Sequence, residues 1–156
     1  MVITAQIPKD RIGHGTITWE GGFGRCRGKA DNQKASEHGN PTRDPRRPWG
    51  DHPAGHYVVT GVRTVIVGQD HSYGPVKIDI QPADLSSDDE CATRENAEGG
   101  DDGILIHGGD PQADGVSLRA TYGCLRVSNE TARALALVIK AAMAAGEHVE
   151  YNCEAA

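Results

Sequence analysis

The chain has 156 residues and a formal net charge of −6, with 37% apolar and 4% aromatic residues. That length suggests one domain, residues 1–156, with a core of Val, Ile, Leu and Ala; the acidic balance excludes a chain built to coat nucleic acid. No apolar run reaches the ~20 residues of a membrane-spanning helix, so no membrane insertion is expected, and 20 Gly with 8 Pro favour many turns and a mainly β fold.

In chain order, Val2 to Ile7 and Thr16 to Glu20 read as short strands, and Gly21-Gly22 as a turn into a returning strand from Phe23 to Gly28. Residues 29–55 are polar and rich in Gly and Pro, and their length suggests a functional loop. Two β-branched runs follow, Tyr57 to Val62 and Thr64 to Gly68. From Pro75 to Pro82 the pattern alternates, with Val76, Ile78 and Ile80 facing inward and Lys77, Asp79 and Gln81 outward. Residues 83–103 are acidic and loop-like. Ile104 to Ile106 reads as a buried strand entering His107. Asn129 is a candidate cap for one main helix, at about 130–145. Leu135, Val138, Ile139, Ala142 and Met143 form its core stripe, and Gly146 its stop. Glu147 to Asn152 reads as a last strand with Val149 and Tyr151 inward.

The charge is uneven: residues 25–47 are basic and 84–102 acidic. The plain reading is two solvated loops; the functional one is a basic border to a pocket for an acidic substrate. The run Asp88-Asp89-Glu90, with Asp101-Asp102 later, lacks the spacing of a calcium loop. His52 and His56 stand four apart, but Pro53 and Gly55 argue against the helix that a zinc pair needs. On a strand, the even spacing would turn His56 toward a cleft. None of the four cysteines forms a Cys-x-x-Cys pair, so no metal centre is expected. Disulfide pairing among Cys26, Cys91 and Cys153 is open. The first ten residues lack the features of a secretion signal, leaving a trimmed mature domain, export by another route or an internal location.

The chemistry concentrates in two short segments. Ile106-His107-Gly108-Gly109 is followed, with sixteen residues between His107 and it, by Cys124 within Thr121-Tyr122-Gly123-Cys124-Leu125-Arg126. A thiol attacks as thiolate, so Cys124 needs a base such as His107. Gly123 permits a sharp turn that aims backbone N–H groups at an oxyanion. This compound pattern resembles the catalytic domain of the L,D-transpeptidase (YkuD-type) family, in which His precedes Ser/Thr-x-Gly-Cys-hydrophobic-Arg/Asn at a similar spacing. Pro53, Gly55 and Tyr57 resemble its Pro-x-Gly-x-(Tyr/Phe) segment, and Gly28-Lys29 its upstream Gly-Lys. The likeness covers about residues 14–152, with 29–50 and 83–103 as divergent insertions. Tyr122 departs from the pattern, since many members have His there.

The resemblance implies a β-sandwich of mixed sheets with the main helix after the nucleophile loop. It implies Cys124 as nucleophile, His107 as base oriented by the Gly108 carbonyl, and N–H groups of Gly123 and Cys124, with Tyr122 as a further candidate, for the oxyanion. Arg126, Thr121, Tyr122, His56 and Tyr57 are the candidate substrate-binding residues. The implied partner is a peptidoglycan stem peptide in the cell envelope, with no cofactor; oligomeric state is not legible. The same pair suits an L,D-carboxypeptidase or a D-amino-acid exchange enzyme, including a secreted antibacterial toxin. A non-catalytic wall-binding module is the alternative from another class.

Overall fold

A computed structural model describes residues 1–66, 68–95, 103–112 and 117–156. Among these residues, eight strands form one closed barrel. They are β1 (Val2–Ile7), β2 (Gly15–Trp19), β3 (Gly22–Arg27), β4 (Gly55–Thr64), β5 (Val76–Pro82), β6 (Leu105–His107), β7 (Leu125–Val127) and β8 (Glu150–Ala155). Around the barrel the order is β1-β2-β3-β7-β6-β5-β4-β8. The expected sandwich is thus replaced by a single closed sheet, because β8 bridges both free edges. It pairs parallel to β1 (Ile3 with Tyr151) and antiparallel to β4 (Tyr57 with Tyr151). Closure leaves none of these eight strands with an unpaired edge. The strand pairing is mixed, with β6 and β7 also parallel.

Alternation along the strands sends Ile3, Ala5 and Ile7 of β1, Ile17 of β2 and Tyr151 and Cys153 of β8 inward. β5 departs from its sequence pattern: Lys77, expected outside, is buried at 6% exposure. Its ammonium lies 4.1 Å from the centre of the Tyr73 ring, which compensates a buried charge better than an apolar wall would.

Helix α1 (Asn32–Glu37) lies inside the expected 29–50 loop, capped by Asp31 Oδ1 accepting from Lys34 N at 2.9 Å. Buried Asn40 then ties the chain together through Asp44 and Pro48. Helix α2 (Asp70–Tyr73) occupies the turn before β5, so the second β-branched run, 64–68, does not continue as a strand past Thr64; position 67 lies outside the described residues. Helix α3 (Glu90–Thr93) gives structure to part of the 83–103 stretch. Glu90 pairs with Arg11 and accepts from Ala54 N, while Cys91 and Arg94 are buried. Residues 96–102, including Asp101 and Asp102, lie outside the described residues.

Helix α4 (Asn129–Ala144) closes one side of the core. Its cap is Ser128, whose hydroxyl accepts from Thr131 N at 3.0 Å, rather than the expected Asn129. Leu135, Ile139 and Ala142 face the core as expected. Burial of each large side chain contributes about 1.5–3 kcal/mol. Met143, expected in the stripe, is 37% exposed: it shares the face of the buried Ile139 and Ala136 but stands in the last turn of the helix, which ends at Ala144. All four cysteines are free thiols, and burial pushes those of Cys26 and Cys153 up to about 12 and that of Cys91 to about 11.

Candidate active site

Parallel pairing of β6 and β7 sets His107 opposite Arg126 and Ile106 opposite Leu125. Cys124 therefore enters β7 beside the start of β6, and the Leu105 N–H donates to its Sγ at 3.4 Å. A donor aimed at sulfur favours the thiolate. Cys124 is half-exposed and borders a cleft of about 490 Å³ together with His107, Thr121, Tyr122 and Arg126.

His107 is buried, with Nδ1 2.7 Å from the Gly108 carbonyl oxygen. A carbonyl only accepts, so Nδ1 carries the proton and Nε2 keeps its lone pair. Burial pushes the imidazole down to about 4; the Gly108 bond opposes this and the charges of Arg126 and Lys77 add to it. The ring is neutral at pH 7, so Nε2 carries a lone pair, and burial lowers its affinity for a proton. Its turn is fixed from outside. Gly108 N donates to Tyr73 O at 3.1 Å and Gly109 N to Asn129 Oδ1 at 2.7 Å. A Cβ on Gly108 would meet Asn129 Oδ1 at 2.4 Å, so glycine is required for this approach.

The nucleophile loop is braced from below. The Thr121 hydroxyl donates to Cys124 O at 2.7 Å and accepts from Gly123 N at 3.2 Å. The Gly123 N–H is thus engaged within the loop rather than aimed at the cleft as expected. Gly123 has φ +130°, and a Cβ there would meet Arg94 Nη2 at 2.7 Å. Arg94 is buried and donates to the carbonyls of Asp51 and Pro45. The Gly123 carbonyl accepts from Nδ1 of His52 at 2.9 Å, and His52 Nε2 accepts from the Tyr151 hydroxyl at 2.9 Å. His52 is fully buried, and desolvation pushes it down to about 3.

The expected substrate-binding residues divide. Thr121, Tyr122 and Arg126 border the cleft, and Tyr122 is 56% exposed beside Trp49. Arg126 is only 4% exposed; it donates to Gly108 O at 3.3 Å and lies 3.7 Å from Asp110 Oδ2, so its fork holds the histidine turn. His56 and Tyr57 lie outside the cleft lining. His56 is exposed and pairs with Asp89 at 3.0 Å, while Tyr57 is buried in the barrel against His52 and Tyr151. The reason is strand alternation: Tyr57 points into the core, which turns His56 outward. Sequence reasoning missed His52, Arg94 and Asn129 as supports of the two motif loops.

The family model described as YkuD, the L,D-transpeptidase catalytic domain, matches residues 11–145. No curated protein sequence matches significantly. Among solved structures, the helical cell shape determining protein Pgp2 from Campylobacter jejuni overlays with a TM-score of 0.53 at 19% identity, covering 99% of this chain and 48% of that one. A single-substitution mutant of Pgp2 gives a TM-score of 0.52, also at 19% identity, covering 99% of this chain and 47% of that one. These likenesses establish a shared fold, and the chain spans about half the length of those proteins. With the family model matching residues 11–145, the chain belongs to the YkuD-type L,D-transpeptidase catalytic domain family.

Proposed function

We propose that this chain performs cysteine-dependent acyl transfer on peptidoglycan stem peptides at the cell envelope. Nε2 of His107 takes the Cys124 proton, and the thiolate attacks the carbonyl of the L-centre residue that precedes a terminal D-amino acid. Backbone N–H groups of the nucleophile loop meet the oxyanion, with Cys124 and Tyr122 the candidate donors since Gly123 is engaged by Thr121. As the tetrahedral intermediate collapses, the C–N bond breaks and the amine leaves with the proton held by His107. An acceptor amine then attacks the thioester, passes its proton to His107 and releases the Cys124 thiolate.

The observation that carries this reading is the fixed tautomer of His107. Its Nδ1 is committed to Gly108 O, and its ring borders the same cleft as Cys124. That is the arrangement of a base rather than of a packed core histidine. The half-exposure of Cys124 favours a second reading, in which water resolves the thioester and the enzyme is an L,D-carboxypeptidase.

Mass spectrometry of tetrapeptide-bearing muropeptides tests both. Wild type is expected to release the terminal D-residue and, with a D-amino acid added, to form the exchanged peptide; the tripeptide alone, even with amine present, marks hydrolysis. Cys124→Ala is expected to give neither. Equal products from both proteins, or none from either, rule the proposal out.

A further inference from the structure

Three arginines border the cleft, and two of them are spent on the protein itself. Arg126 holds Gly108 O and faces Asp110. Arg27 donates from Nη1 to Leu118 O at 2.8 Å and from Nη2 to Ile12 O at 3.1 Å. The third, Arg119, is exposed on the cleft and forms no ion pair with a described carboxylate. Among the described residues, two acids border the cleft, and both are also occupied. Asp31 caps α1, and Asp110 lies 2.8 Å from His71 Nε2 as well as beside Arg126.

Arg119 is carried on a fixed piece of chain. Leu118, before it, bridges to Pro111 and donates its N–H to His14 Nε2 at 3.0 Å. Thr121, two residues on, bridges to Ala30, donates to Lys29 O at 3.2 Å and accepts from Asp31 N at 2.8 Å. The backbone is therefore set before any ligand arrives, and only the side chain must order on binding. The charge of Arg119 also acts on Arg126, so an anion between them relieves their repulsion.

We infer that Arg119 binds a free carboxylate of the peptide substrate and so makes this cleft selective for anionic stem peptides. A guanidinium fork meets a carboxylate with two parallel hydrogen bonds. The inference rests on the acyl-transfer reading above and adds to it the residue that reads the charge. A stem peptide has two candidate carboxylates near the scissile bond: the terminal one on the leaving D-residue, and one on the side chain of the L-centre residue. Both present the same chemistry to Arg119.

The test uses four tetrapeptides, with a C-terminal acid or amide combined with an L-centre side chain that does or does not end in a carboxylate. Their binding to Cys124→Ala protein is measured by calorimetry, beside Cys124→Ala carrying Arg119→Gln or Arg119→Lys. Blocking the carboxylate that Arg119 reads is expected to weaken binding about 10–100-fold. Arg119→Gln is expected to bind the unblocked peptide as weakly as the blocked one and to leave the blocked one unchanged, with Arg119→Lys recovering part of the difference. Which carboxylate couples identifies the source. If Arg119→Gln weakens all four peptides alike, or none, the inference is overturned. Turnover by the Cys124-intact protein runs in parallel: turnover without coupling overturns the inference alone, whereas neither binding nor turnover overturns the acyl-transfer reading with it.

Discussion

His107→Gln is expected to lower kcat for stem-peptide turnover by about 10²–10⁴-fold while leaving KM within a few-fold. The imidazole is buried, its Nδ1 proton is held by Gly108 O, and Nε2 is the ring atom left to move a proton. Gln fills similar space but carries no titratable lone pair. The effect therefore belongs on the chemical step, where the thiol must lose its proton and the leaving amine must gain one. Because burial holds His107 near 4, the acid limb of kcat/KM is expected close to pH 4, well below the 6.5 of an ordinary imidazole. Steady-state kinetics from pH 3.5 to 8, with a melting curve for each protein, check both points. Turnover within a few-fold of wild type would remove His107 from the mechanism.

His52→Ala is expected to be the most destabilising single change near the site, by about 3–5 kcal/mol, or on the order of 10 °C in Tm. The ring is fully buried and both nitrogens are bonded, one to the Gly123 carbonyl and one to the Tyr151 hydroxyl. Its removal opens a cavity and leaves two buried polar groups unpaired. It also releases the carbonyl that anchors the nucleophile loop, so activity should fall even at temperatures where the fold persists. The same burial makes wild type sensitive to acid. His52 near 3 and His107 near 4 lie below the ordinary 6.5, so the unfolded chain binds more protons between those values. The stability they contribute is full above about pH 6.5 and is lost as pH falls toward 4 and 3. Wild-type Tm should drop across that window, and His52→Ala should drop less steeply; equal slopes, measured calorimetrically, would show that His52 does not titrate in this way.

What the sequence revealed was local. The alternation of Val2 to Ile7, the helical stripe around Leu135 and Ile139, and the spacing from His107 to Cys124 each announce themselves within a few residues. Barrel closure does not: β8 is recruited to β1 across the whole chain, and nothing near Tyr151 signals a parallel partner at Ile3. His52 was opaque for the same reason, since its partners stand 71 and 99 residues away. Lys77 was misread because alternation assigns a cation to solvent, whereas the Tyr73 ring receives it. Asn129 matched a cap signal but lies one residue inside it, where its side chain instead holds Gly109 and so steadies the His107 turn. Arg94 was hidden in an acidic stretch whose composition suggested solvent, although its guanidinium sits under Gly123.

The central claim is that a peptide acyl group passes through a thioester on Cys124. Intact-mass spectrometry of the protein, quenched in acid during turnover of a tetrapeptide, tests it most directly. The expected result is an adduct equal to the peptide minus its terminal D-residue, mapped by digestion to Cys124, removed by hydroxylamine, absent from Cys124→Ala and slow to form in His107→Gln. Continued turnover with no adduct on rapid quenching, or an adduct on any other residue, would contradict it.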